Sequence, residues 1–167
     1  MESIVIREVK ENQKKLYSTF FNNGLVTDES NFRMSVNDVI NLPFPTEGTK
    51  DSFTLGAFSE GELAGVVSFE RDGKTREKLR HKGTLFRMYV GKDYRGKGIS
   101  RLLIQEVIEK VRALRDIEKI NLTVISDNTI AKRLYEKFGF ITFSQEENAI
   151  KWKGNYFQED QMSLNLL

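Results

Sequence analysis

The stretch Tyr89-Val90-Gly91-Lys92-Asp93-Tyr94-Arg95-Gly96-Lys97-Gly98-Ile99-Ser100-Arg101 decides how this chain is read. It joins an apolar strand to an amphipathic helix through a loop rich in glycine and carrying Lys92, Arg95, Lys97 and Arg101. A helix start offers unpaired backbone N–H groups and the positive end of the helix dipole, and glycine lets the chain curl round an anion. The junction therefore predicts a phosphate-binding loop. Two familiar kinds fail on spacing. Gly91 to Lys97 matches the first seven positions of a nucleoside-triphosphate loop, but the eighth, which needs a magnesium-binding hydroxyl, is Gly98. A dinucleotide fingerprint requires glycine where this chain has Arg101.

Outward from the loop, apolar periodicity sets the elements. Upstream, Leu85 to Val90 reads as a strand, preceded by strands Ser52 to Phe58 and Leu63 to Phe69 about a Glu60-Gly61-Glu62 turn. Ile4, Ile6 and Val9 suggest a first strand. Two helices are expected between: one through Leu16, Phe20 and Phe21 ending near Asn23-Gly24, and one from Asp28 towards Ile40. Downstream, Ile99, Leu103, Val107, Val111 and Leu114 form the buried stripe of a helix. Ile120 to Ile125 is a compact strand. Asp127 or Asn128 caps a helix carrying Ile130, Ala131, Leu134 and Phe138, with Gly139 at its C-terminal end. Phe140 to Phe143 and Met162 to Leu166 close the chain as strands. This order is a mixed α+β pattern in one domain, residues 1–167.

Composition narrows the chemistry. The 167 residues hold no cysteine and one histidine, His81, so thiolate catalysis is excluded and no metal site is expected. A net charge of +2 gives no reason to expect nucleic acid. The N-terminus alternates apolar and charged residues, which argues against a leader or membrane span, and a cytoplasmic location is expected. Arg71, Lys74, Arg76, Lys78, Arg80 and Lys82 cluster before the loop, either as solvated surface or as an attractive field for an anion.

The segment Arg95-Gly96-Lys97-Gly98-Ile99-Ser100 resembles the pyrophosphate loop Arg/Gln-x-x-Gly-x-Gly/Ala of the GNAT superfamily of acyl-CoA-dependent N-acetyltransferases, with Ser100 at the last position in place of Gly or Ala. A second motif of that family, roughly Asn-x-x-Ala-x-x-Leu-Tyr-x-x-x-Gly-Phe, is matched by Asn128, Ala131, Leu134, Tyr135, Gly139 and Phe140. The resemblance is densest from Leu85 to Phe143. It implies a central, mostly antiparallel sheet flanked by about four helices, with a splayed strand pair around residues 85–90 and 120–125. It also implies acetyl-CoA as cosubstrate and an amine acceptor, a small molecule or a peptide N-terminus, with a homodimer as a family habit.

On that resemblance, the backbone of Gly96, Lys97, Gly98, Ile99, Ser100 and Arg101 would hold the pyrophosphate, with Arg95 and neighbouring cations on its outer oxygens. The pantetheine arm would lie along Met88, Tyr89 and Val90 and meet Asn128. Asn128 and Tyr135 are seven residues apart, and at ~100° per residue they share a helix face. Tyr135 would then stand near the sulfur, where a phenol can donate to a departing thiolate; without the resemblance it reads equally as a core aromatic, and Asn128 as a plain cap. The general base is open: Thr123 occupies a position where some members carry Glu, leaving Glu70 and His81 as candidates. Glu29 and Arg33, a turn apart, would line the acceptor pocket or pair with each other, and Trp152 and Tyr156 would wall it or pack as strand residues. The competing function is a non-catalytic acyl-CoA-binding sensor or regulatory module.

Overall fold

The computed structural model describes residues 3–167. Seven strands form one sheet: β1 (Ile4–Val9), β2 (Ser52–Ser59), β3 (Glu62–Arg71), β4 (Lys82–Val90), β5 (Lys119–Ile125), β6 (Ile141–Trp152) and β7 (Asn155–Asn165), in the order β1-β2-β3-β4-β5-β7-β6. Every neighbouring pair is antiparallel except β4 and β5. Three α-helices accompany the sheet: α1 (Lys14–Thr27), α2 (Ile99–Ala113) and α3 (Thr129–Lys137). The fold is the mixed α+β one expected. Among the described residues no helix is long and apolar enough to cross a membrane.

Two apolar clusters cover the two faces. Tyr17, Phe21 and Leu25 of α1 pack on Val9, Phe58, Leu63, Val66 and Tyr89. The stripe Ile99, Leu103, Val107 and Val111 of α2, with Tyr135 of α3 and Phe140, packs on the other face. β2 is buried along its whole length, as a strand covered on both sides must be.

Three expectations are corrected. The segment from Asp28 to Ile40 is not a helix but two single 3-10 turns, Glu29–Asn31 and Val36–Val39, so three α-helices replace about four. Asparagine and serine there favour local side-chain bonding over helix propagation; Ser35 N–H donates to Asp38 at 2.7 Å and starts a new turn. Next, α1 runs past Asn23-Gly24 to Thr27. Gly24 serves close approach and does not stop the helix: a Cβ there would lie 2.6 Å from the Tyr89 ring. Finally, the terminal strands are one long hairpin. Lys153 and Gly154 both have positive φ (49° and 81°), as a two-residue hairpin turn requires. Its edge strand β6 is largely exposed and polar, so apolar alternation does not mark it.

The basic run also reads differently. Arg71 is buried and bridges Asp51 at 2.7 Å and Asp116 at 2.8 Å, while Lys74 pairs with Glu47 and Glu70, each at 2.7 Å. These residues gather at the Lys82 end of β4, whereas the glycine loop follows Val90 at the other end.

Gly24→Ala is expected to destabilise the protein. Overpacking against Tyr89 costs ~1–3 kcal/mol, and the better helix propensity of alanine returns only about 1 kcal/mol. Urea unfolding measures the difference; an unchanged or higher midpoint would show that the ring moves aside freely.

Candidate active site

β4 and β5 pair over three positions only, Lys82↔Lys119, Gly83↔Ile120 and Thr84↔Asn121. Beyond them the strands part. β5 takes its hydrogen bonds from β7 along its length, and β4 takes its own from β3. The register of β3 against β4 shifts between Val66 and Ser68, opposite Phe86 and Tyr89, so β4 carries an extra residue. Arg87 sits in this bulge with φ 51° and points its guanidinium at the Phe21 ring, 5.6 Å away. Bulges bend a strand and end its pairing. The result is a cleft of about 780 Å³ between Leu85–Val90 and Leu122–Ile125.

The glycine loop closes one end of the cleft. After a turn at Lys92–Tyr94, Gly96 and Gly98 adopt φ of 78° and 77°. No heavy atom lies within 4 Å of a Cβ placed on either, so the space before them is open. Gly98 is the N-cap of α2 and supplies no side-chain cap, which leaves the first N–H groups of a 15-residue helix facing that space.

Arg95 lines the cleft and is held at its rim. Its Nη2 donates to Asp28 Oδ2 at 2.9 Å and its Nε to the Val90 carbonyl at 3.1 Å. Asp28 also accepts from the Tyr89 hydroxyl at 3.0 Å, and Lys92 donates to the Thr27 carbonyl at 3.1 Å. Burial works against the Asp28 charge, but Arg95, Tyr89 and Lys92 outweigh it and hold the carboxyl below its ordinary range. Two loop cations thus fasten the loop to the end of α1. Ser100 and Arg101 line the cleft, and Lys97 lies over the Tyr94 ring.

α3 forms the remaining wall. Asn128 Oδ1 accepts from the Ala131 N–H at 3.2 Å, so it caps the helix while lining the cleft. Tyr135 is buried against Phe140 with ring centroids 5.7 Å apart and also lines the cleft. Burial pushes its hydroxyl up from the ordinary phenol value, so it stays protonated. The helix is anchored by Asp160 of β7, fully buried, which pairs with Lys132 and accepts from Ser126 at 2.5 Å and Gln145 at 3.1 Å.

Residues 16–140 match the sequence profile of the acetyltransferase (GNAT) family. The chain belongs to that family. A GNAT-family acetyltransferase from Streptococcus pneumoniae superposes with a TM-score of 0.81 at 26% identity, covering 99% of this chain and 100% of that one. A Salmonella typhimurium structure described with its cofactor acetyl-CoA superposes at 0.79 over 99% and 95%, and at 18% identity shows the shared fold. The spermine/spermidine N(1)-acetyltransferase of Bacillus subtilis is 28% identical over 92 residues, 52% of this chain and 57% of its own. An acetyltransferase from Sodalis glossinidius is 33% identical over 101 residues, 60% of this chain and 63% of its own. The matched stretch therefore spans little more than half the length of these curated relatives.

Within this GNAT chain, Met88, Tyr89, Val90, Gly96, Gly98, Ile99, Asn128 and Tyr135 meet round one cleft. Glu70 does not join them: it lies across from Thr84, near the closed end of the strand pair, and is held by Lys74. His81 is at that closed end too, its carbonyl accepting from Glu118 N–H at 2.7 Å. Glu29 and Arg33 do not pair with each other, because the helix that would align them is absent. Glu29 meets Lys153 at 2.7 Å, and Arg33, which lines the cleft, meets Glu159 at 2.5 Å. Trp152 and Tyr156 flank the hairpin turn and remain exposed. Glu159 and Asp160 escape the sequence reading because Gln158-Glu159-Asp160-Gln161 looks like polar surface.

The Asp160 anchor predicts an acid transition. Its folded pKa is about 2 against 3.8 for the free group: burial raises it, and Lys132, Ser126, Gln145 and Gln158 together lower it further. A depressed carboxyl stabilises the fold above its unfolded pKa and loses that contribution as pH falls through the folded one. The urea midpoint should therefore drop between pH 3.8 and about 2, and Asp160→Asn should remove that part of the drop. An identical acid limb in the variant would refute the anchor.

Proposed function

We propose that this protein transfers the acetyl group of acetyl-CoA to a primary amine by direct attack, with no acyl-enzyme intermediate. The observation that carries the reading is the parted β4–β5 pair opening onto an uncapped helix start across two positive-φ glycines. A diphosphate fits that start, and the free edge of β4 suits the two amides of a pantetheine arm. Family membership and the amine-acetylating relative support the same reaction.

The residues divide the work as follows. Backbone groups of Gly96 to Arg101 would hold the diphosphate. The β4 edge at Met88 to Val90 would orient the arm and offer an N–H to the thioester oxygen as charge develops there. The amine nitrogen attacks the carbonyl carbon, the N–C bond forms, and the C–S bond breaks. The Tyr135 hydroxyl would donate a hydrogen bond to the leaving thiolate. A thiol titrates near ~8.5, below this phenol, so Tyr135 stabilises the anion without surrendering its proton; the proton released by the amine completes the thiol.

Among the described residues lining the cleft none is Asp, Glu or His. Glu70 therefore has no access as base, and the amine reaches the carbonyl neutral or loses its proton to water. The rate kcat/KM should rise with pH along the free-amine fraction of each acceptor. A plateau at one pH for amines of different basicity would reveal an enzymic base.

Thiol release from acetyl-CoA across an amine panel tests the reaction. Tyr135→Phe should lower kcat by ~10²-fold, the lower range for removing one hydrogen-bond donor to a developing anion, while calorimetric acetyl-CoA affinity stays within a factor of about two. An unchanged kcat would return Tyr135 to the core. Tight acetyl-CoA binding with no thiol release from any amine would make the protein a binding module.

A further inference from the structure

Glu159 and Asp160 are consecutive acids in the middle of β7, and both are buried, at 2% and 0% exposure. Their surroundings differ. Asp160 shares its face with Met162 and Leu164 and is met by Lys132, Ser126, Gln145 and Gln158. Glu159 points to the opposite face, beside its cross-strand partner Ile125, which lines the cleft. Its Oε2 is the atom that meets Arg33, and among the described residues it has no other polar partner. The one counter-charge it meets is Arg33, whose Nε approaches at 2.5 Å while the side chain is 62% exposed.

A buried carboxylate demands compensation, and a lone contact from a solvent-exposed side chain is a weak form of it. Arg33 lines the cleft and Glu159 does not, so the guanidinium stands between the carboxylate and the space where an acceptor would enter. An ammonium arriving through the cleft can replace it: charge stays balanced, an ammonium brings three N–H donors to the carboxylate, and Arg33 returns to water. A neutral or anionic group offers no such exchange.

We infer that Glu159 is the anchor for an ammonium group of the acceptor and that Arg33 is its displaceable cover. The reacting amine must be neutral, so the anchored group is a second one, and the acceptor class is an alkyl diamine or longer polycation. This rests on the acetyl-transfer reading for the identity of the site but is tested by binding alone.

The test is calorimetric titration of 1,6-diaminohexane and hexylamine into protein saturated with coenzyme A. The diamine should bind at least ~10-fold more tightly than the monoamine, in the range of close charge-pair couplings. Glu159→Gln should abolish that preference. Arg33→Ala should tighten the diamine, because a competing cation is gone. A preference that survives Glu159→Gln, or an Arg33→Ala that weakens the diamine, overturns the inference. Retained coenzyme A affinity certifies each variant as folded; should Glu159→Gln fail this, the sign of the Arg33→Ala effect decides. If coenzyme A fails to bind the unmodified protein, the acetyl-transfer reading falls, and the same titrations on free protein still judge Glu159.

Discussion

Everything functional in this molecule follows from two neighbouring strands that stop pairing after three residues. A parallel pair needs a crossover element, and here α2 supplies it between β4 and β5. The bulge at Arg87 bends β4 away before α2 begins. Each strand is paired on its far side, β4 with β3 on either side of the bulge and β5 with β7 along its length. The sheet therefore tolerates an open seam in its middle. Backbone groups inside a protein demand partners, and a seam of this kind offers them to a peptide-like ligand.

The seam is framed by a short segment between α1 and β2. Asp28 ties it to Arg95 of the glycine loop, Glu29 to Lys153 of the hairpin turn, and Arg33 to Glu159 of β7. Three ion pairs from six residues span both rims of the cleft. Only Glu29 and Lys153 are exposed on both sides, a kind of pair that contributes ~0–1 kcal/mol; together the three pairs fix where the segment runs. Asp28 differs from the other two anions of the set in collecting Tyr89, Arg95 and Lys92 together. Its position explains why Arg95, though half exposed, is held against the end of α1. The arginine acts as a fastener between the glycine loop and the helix that packs under Tyr89.

Some of this was legible in the chain. The turn at Gly96 and Gly98 was legible because positive φ is a local demand that few other residues meet. Asn128, Tyr135 and Gly139 read correctly because a cap, a helix face and a C-terminal glycine are set within a dozen residues. The basic run from Arg71 to Lys82 was ambiguous because its partners, Glu47, Asp51 and Asp116, are distant in sequence. Glu70 looked available for the same reason: nothing near it in the chain reveals which end of the strand pair it occupies.

Local chemistry thus determined the elements, the glycine loop and the helix that carries Tyr135. Only the tertiary structure decided which charges are spent in pairs and which face a cavity. Glu159 and Asp160 make the distinction concrete. They are adjacent and of one chemical type, yet strand alternation sends one among Lys132, Ser126, Gln145 and Gln158 and the other to a single exposed arginine. Burial and counter-charge belong to the assembled sheet, because they depend on neighbours on other elements, Lys132 of α3 for Asp160 and the far more distant Arg33 for Glu159.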